Sequence, residues 1–575
     1  MPKMSSIAVK VKHNGVVHDV SLNPAGPAAE FKDAIYQLTG VPVERQKVMI
    51  KGGMLKDDTD MTKLGARPGQ TFMLIGTAGP LPTAPTGPPP KFLEDLDDSD
   101  LALAMRTKAG LNNLGNTCYL NSTLQVLRAI PELQESLNNF KGTLAEADGE
   151  KRLTAALRDL YKDMSTTTEA FPPLAFLTIL RQVAPQFAEM ASGGDHGHGP
   201  AGYAQQDAEE VWVRIINALQ NSLKGLAPGQ AGEASAQGGD ASRFVEQYMT
   251  GRMIVKRSTA EAPEEEPTFS EDRFSVLQCN ISGTTNEMTS GILDSLNQQL
   301  EKNSPTLNRS AVYDETRRID RLPAYLATHF VRFYWRRDIN KKTKIMRKVK
   351  FPFNLDVTPF LSDDLKGKLS KTHAKVIAIE KERDERVKIR RKAKAKREEA
   401  MKSDANRSAD PKSLASASTG GVEAPAPADA MAVDTTEEPM ANAAPSSSSA
   451  PGQVLTEEEE VKLRAQEADE VRATVHPDLL NDHGCNTSAL YELVGIVTHK
   501  GAAADAGHYI SWVRKEQESD VEGVQRILDA PAEQEWYKFD DDRVSTVSKD
   551  KIASLDGGGE DSVAYILLYR SKEIK

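Results

Sequence analysis

Three cysteines occur in the 575 residues, Cys118, Cys279 and Cys485, and only Cys118 stands in a context built for reactivity. It follows Gly110-Leu111-Asn112-Asn113-Leu114-Gly115-Asn116-Thr117, and Leu120, Leu124 and Leu127 come after it at helical spacing. This pattern predicts a turn that delivers the thiol to the start of a helix. There the helix dipole and free backbone N–H groups lower a thiol pKa and stabilise an oxyanion. A lone cysteine is more often simply buried, so the reading needs partners. Far downstream, Tyr491 to His499 reads as a strand, a Gly/Ala-rich loop follows, and Gly507-His508-Tyr509-Ile510-Ser511-Trp512-Val513 reads as another strand. His508 on a strand edge can face a cleft, and Gly507 lets a substrate backbone come close. Trp536-Tyr537-Lys538-Phe539-Asp540-Asp541-Asp542 then supplies acids to hold an imidazole. Strand alternation puts Asp540 and Asp542 on one face and Asp541 on the other. Cys, His and Asp from three distant segments are the activated-nucleophile set of a cysteine hydrolase.

The elements that must position this set lie in a chain of mixed character. Charged residues make up 27% and hydrophobic ones 39%, enough for a large core with room for disorder. The net charge of −11 argues against nucleic acid or an anionic membrane as the default partner. Three thiols exclude a disulfide scaffold and fall one short of a four-cysteine zinc site. No apolar run is long enough to span a membrane, and the first residues lack the apolar core of a signal peptide. A soluble protein of a reducing intracellular compartment is expected.

Residues 1–78 read as a compact α+β unit. Ile7, Val9 and Val11 alternate with polar residues, a His13-Asn14-Gly15 turn leads into Val16 to Val20, and a helix starts at Gly26-Pro27. Phe31, Ala34, Ile35 and Leu38 form its apolar stripe and Gly40 closes it. Val48 to Ile50, a Gly52-Gly53 turn and Thr71 to Ile75 complete an order that resembles the ubiquitin fold. The run ends Gly76-Thr77-Ala78-Gly79, without the terminal Gly-Gly of a processed modifier. Residues 79–104 form a Pro-rich and then acidic linker. Residues 371–478 hold a Lys/Arg/Glu helical run, a stretch of Ala, Pro, Ser and Thr that cannot build a core, and a second charged helical run. They read as an insertion splitting one folded domain into 105–370 and 479–575.

Two further motifs make the resemblance specific: Gln205-Gln206-Asp207-Ala208-Glu209-Glu210-Val211-Trp212, and Leu322-Pro323-Ala324-Tyr325-Leu326 followed by His329-Phe330-Val331-Arg332-Phe333. With the Cys118 and His508 segments, in this order, they resemble the ubiquitin-specific protease family of deubiquitinases. The resemblance implies an N-terminal β-grasp domain followed by a papain-like cysteine protease domain with thumb, palm and fingers. It maps Cys118 to the nucleophile, His508 to the general base, Asp540 to the acid orienting it and Asn113 to the oxyanion hole. It places Gln206, Asp207, Gly507 and Tyr509 at ubiquitin's tail, with Tyr509 lining a narrow Gly-Gly channel. The attached ubiquitin-like domain resembles that of proteasome-associated members, so Met49, Met73 and Ile75 become candidates for docking on the 26S regulatory particle. Cleavage of conjugates at the proteasome in cytoplasm and nucleus, stimulated by docking, is the implied function. Segments Trp335 to Lys344 and Lys500 to Ala506 are expected to be mobile and to gate the tail channel. A catalytically silent ubiquitin-binding adaptor is the alternative from another class, and the filled triad positions argue against it.

Many relatives carry two Cys-x-x-Cys pairs that bind zinc. Neither Cys279 nor Cys485 belongs to such a pair, so no metal and no cofactor are expected. His196-Gly197-His198 has no third ligand in view. The basic run Lys388 to Arg397 is flanked by acids and reads as a solvated helix face.

Overall fold

The computed structural model describes residues 6–50, 53–57, 59–77, 108–190, 202–226, 243–336, 341–408, 455–501, 507–515, 535–558 and 562–574. The expected linker 79–104, His196 and His198, and most of the Ala/Pro/Ser/Thr stretch lie outside them. The chain divides into two units, Met1–Phe92 and Leu93–Lys575.

In the first unit, β1 (Ile7–His13), β2 (Val16–Leu22), α1 (Ala28–Thr39), β3 (Lys47–Ile50), β4 (Gly53–Met54) and β5 (Thr71–Ile75) build a β-grasp. The sheet order is β2-β1-β5-β3-β4, with β1 and β5 parallel at its centre. Gly40 ends α1 at φ 67, a left-handed conformation that costs glycine nothing. Val9, Val11, Val20, Phe31, Ile35, Val48, Phe72 and Leu74 are buried together between sheet and helix. Leu38, expected on the same stripe, is exposed in the final helical turn.

The second unit opens with helices: α2 (Cys118–Leu127), α3 (Pro131–Asn139), α4 (Gly149–Met164), α5 (Leu174–Val183) and α6 (Ala208–Ser222). Every residue of α2 is buried, so the segment bearing the thiol is a core helix. Asp148 and Asp207 cap α4 and α6 by accepting from the backbone N–H two residues on. These helices are the thumb.

Next come β6 (Gly251–Ser258), β7 (Thr268–Phe274), β8 (Val276–Asn280), α7 (Met288–Leu296), β9 (Asn297–Ser304), β10 (Arg309–Arg321), β11 (Tyr325–Val331), β12 (Phe333–Arg336), β13 (Lys341–Lys344) and β14 (Asn354–Asp356). The order β7-β6-β10-β9 makes the fingers. Beyond two long helices, α8 (Asp363–Ser408) and α9 (Glu457–Thr474), the chain returns as β15 (Leu490–Lys500), β16 (His508–Arg514), β17 (Trp536–Asp540), β18 (Arg543–Val547) and β19 (Val563–Ser571). These complete the palm sheet β18-β17-β16-β15-β19-β11-β8, with β14 on β15. Tyr565, Ile566 and Leu568 of β19 join the core under the thumb, while Leu567 and Tyr569 join the one on the opposite side.

The helix expected from residue 371 begins eight positions earlier, at Asp363, because Leu365, Leu369, Val376 and Ile379 bury a stripe in the core. Its middle is then gripped by charge. Arg383 and Arg386 bond Glu467, and Arg386 and Arg390 reach Glu460, with both glutamates of α9 buried.

Candidate active site

The turn before α2 is wound by Gly115 at φ 95 and Asn116 at φ 53, and it sets Cys118 at the helix start behind Thr117. Asn113 holds this turn: its Oδ1 accepts from the backbone N–H groups of Gly115 at 3.0 Å and Thr117 at 3.1 Å. Those bonds fix which end of the amide is oxygen, so Nδ2 points away and donates to Asp541 Oδ2 at 2.8 Å.

His508 opens β16 across from Lys500. Its Nε2 meets Asp540 Oδ1 at 2.6 Å, and the Cys118 thiol is near enough to be the largest influence on the ring's pKa. The neighbouring Cys118 thiol, reinforced by Asp540 against the opposing effect of burial, raises His508 to about 9. Asp540 is pushed up by burial, but hydrogen bonds from Lys538 and His508 outweigh that and leave it below the usual carboxylate range. Thiol, imidazole and carboxylate are thus grouped at one site, the set that activates a cysteine nucleophile.

A family model described as "Ubiquitin carboxyl-terminal hydrolase" matches residues 109–569, and one described as "Ubiquitin family" matches residues 7–79. Ubiquitin carboxyl-terminal hydrolase 6 of Schizosaccharomyces pombe is 35% identical over 99% of this chain and 99% of its own length. The chain belongs to the ubiquitin carboxyl-terminal hydrolase family. Ubiquitin carboxyl-terminal hydrolase 6 of Arabidopsis thaliana is 34% identical over 100% of this chain and 99% of its own length. Ubiquitin carboxyl-terminal hydrolase 14 of Caenorhabditis elegans is 26% identical over 99% of this chain and 94% of its own length. The hydrolase thus joins a ubiquitin-like β-grasp domain to a thiol protease domain.

Of the expected site residues, the structure brings Cys118, His508, Asp540 and Asn113 together, and it revises the alternation of the three aspartates. β17 ends at Asp540, and Asp541 turns into the left-handed region at φ 52, so the period of two stops before it reaches Asp542. Asp541 points back at the segment that carries Cys118, where Oδ1 accepts from Asn121 Nδ2 at 2.8 Å and Oδ2 from Asn113. Its carbonyl accepts from Leu111 N–H at 3.0 Å, and a Cβ on Gly110 would lie 2.5 Å from the Asp542 carbonyl. The bonds from Asp541 to Asn113 and Asn121 are what sequence reading missed. The signal was present as an acid beside the triad acid and an asparagine one turn into α2.

Asp207, assigned to ubiquitin's tail, caps α6 with Oδ1 and accepts the Tyr565 hydroxyl on the same oxygen at 2.6 Å. Gln206 is half-buried just before it. Its neighbour Gln205 is the one near the thiol, with Nε2 3.9 Å from Cys118 Sγ. Gly507 is required by the protein itself, since a Cβ there would lie 2.5 Å from His499 Nε2. Tyr509, expected on a channel wall, is 1% exposed and sits edge-on to His499 at 4.7 Å. His508 faces the cleft, so the pleat turns Tyr509 into the core beneath the thumb.

The other two cysteines are remote from chemistry. Burial pushes both thiols up to about 12, and they donate to the carbonyls of Met288 and Leu479. Trp335 to Lys344, expected to be mobile, contains most of a two-stranded ladder pairing Phe333–Arg336 with Lys341–Lys344, while 337–340 and 502–506 lie outside the described residues. In the ubiquitin-like unit, Met49, Met54, Met73 and Ile75 are all exposed on one sheet region, with Met49 paired to both Met54 and Met73.

Proposed function

We propose that this hydrolase cleaves the bond after the C-terminal glycine of ubiquitin on conjugates held at the proteasome, so that ubiquitin is recovered before the substrate is degraded. The grouping of Cys118 with His508 and Asp540, the last two joined at 2.6 Å, is the observation that carries the reading. The Cys118 thiolate attacks the glycine carbonyl while His508, as imidazolium, keeps the proton. The developing oxyanion meets the backbone N–H groups that open α2 and the second amide hydrogen of Asn113. His508 then protonates the departing lysine amine, leaving a thioester. Neutral His508 takes a proton from water, hydroxide attacks the thioester, and ubiquitin and the thiol are released.

Docking through the exposed Met49, Met54, Met73 and Ile75 region to the 26S regulatory particle supports action on delivered conjugates, in cytoplasm and nucleus. If the free enzyme's open state is scarce, a partner that binds it raises turnover by restoring that population. Hydrolysis of a ubiquitin C-terminal fluorogenic amide, alone and with proteasomes, tests both parts. Mass spectrometry after treatment with a ubiquitin C-terminal electrophile should place the adduct on Cys118. Labelling at Cys279 or Cys485 instead, or no turnover in either state, defeats the reading.

A further inference from the structure

Lys344 closes β13, is 5% exposed, and aims its ammonium at three neutral acceptors: His499 Nδ1 at 3.0 Å, His499 O at 2.7 Å and Gly501 O at 2.8 Å. Burying a cation against neutral groups is costly, and an apolar side chain would sit there more cheaply. What the ammonium supplies is geometry. It has three donors and no acceptor, so His499 Nδ1 must accept and the imidazole proton must sit on Nε2. Burial, with the Lys344 charge second, holds His499 down at about 3, which keeps the ring neutral.

That ring fills the corner between the β12–β13 hairpin and the catalytic strand. It is edge-on to Phe333, the first residue of β12, at 5.2 Å, and to Tyr509 at 4.7 Å. Its Nε2 faces Gly507 closely enough to forbid a side chain there. Across the β15–β16 ladder His499 opposes Tyr509 and Lys500 opposes His508. One ammonium on the hairpin therefore holds the strand end that leads back to the general base.

We propose that Lys344 is a positioning residue for His508: it locks His499 as the Nε2–H tautomer and pins the His499–Gly501 corner to the hairpin, so that hairpin and catalytic strand move as one body. The proposal rests on the deubiquitinase reading, because it gives Lys344 a part in that reaction.

The test uses the full-length chain with isotope-labelled histidine, whose ten residues are few enough to assign. His499 should appear as a single neutral Nε2–H tautomer from about pH 5 to about pH 7, below the point near 8 where burial lets Lys344 lose its charge, and Lys344→Met should turn it into a mixture of tautomers. On the ubiquitin amide, Lys344→Met should lower kcat roughly tenfold, the scale of a slightly misplaced catalytic group, with KM within about twofold. His499→Gln should lose activity too, and the double variant should be no slower than the slower single, since Lys344 acts through His499. An Nδ1–H or protonated His499 in the wild-type chain overturns the proposal even if Lys344→Met fails to fold. Additive losses or an undiminished kcat overturn it as well. A wild-type chain that neither cleaves the amide nor takes the electrophile on Cys118 defeats the deubiquitinase reading instead, whatever tautomer His499 shows.

Discussion

Asp541 carries two asparagines on one carboxylate, one from the turn before the thiol and one from the helix after it. Asparagine in its place offers one acceptor and one donor, so either Asn113 or Asn121 would face an N–H. Asp541→Asn should therefore free the Asn113 side chain and lower kcat by roughly ten- to a hundredfold, with KM little changed, in steady-state assays on the ubiquitin amide. His508 supplies a second prediction. Its pKa is raised from the usual 6.5 to about 9 mainly by the thiol, so kcat/KM should fall as pH rises through about 9. The stability contribution has the same sign: fully present below about 6.5, it is lost as the folded protein deprotonates near 9. Urea midpoints measured across that window should decline, and Cys118→Ala should flatten the decline. At this scale the placement of Cys118 at a helix start and of His508 on a strand was legible, because glycines, asparagines and an apolar stripe announce a helix start and a strand announces its histidine. Asp541 was not. Alternation is a property of extended backbone, and one residue at φ 52 ends it.

Among the elements, α8 and α9 show how charge holds a helix pair. Glu467 is buried between Arg383 and Arg386, and Glu460 between Arg386, Arg390 and Arg464. Removing one member of such a network leaves its partners uncompensated, at about 3–5 kcal/mol for a buried pair. Glu467→Ala should thus release α9, seen as faster amide hydrogen exchange across 457–474 with exchange in β15 and β16 unchanged. From sequence these helices read as solvated, since a charge run looks the same whether water or an opposing charge run faces it. The early start of α8 was hidden for a related reason. Its anchors Leu365, Leu369, Val376 and Ile379 are spread thinly among lysines, and only tertiary contact shows that they are buried. Four of the β-grasp strands were legible from their alternation over a one-sided sheet, whereas the short, exposed β4, Gly53–Met54, was read as part of a turn.

For the molecule as a whole, the two units should be separable in function. Met49→Glu with Ile75→Glu changes exposed positions only, so the full chain should fold and cleave the ubiquitin amide at the wild-type rate within about twofold. Co-sedimentation with proteasomes, and any stimulation by them, should disappear. Retained co-sedimentation would place docking elsewhere. Thumb, palm and fingers followed from family resemblance rather than from periodicity, since β8 pairs with β11 and β11 with β19 across long stretches of chain that no local pattern connects.

The bond from Asn113 to Asp541 joins positions 428 apart in the chain. At about 5–20 residues per second, the ribosome needs on the order of 20 to 85 seconds to pass from one to the other. During that interval the β-grasp unit is already complete, while the thiol has no imidazole to take its proton and no carboxylate to seat its turn. A growing copy can thus fold its β-grasp unit well before it can cut anything, and proteolytic competence waits for the strands that carry His508 and Asp540.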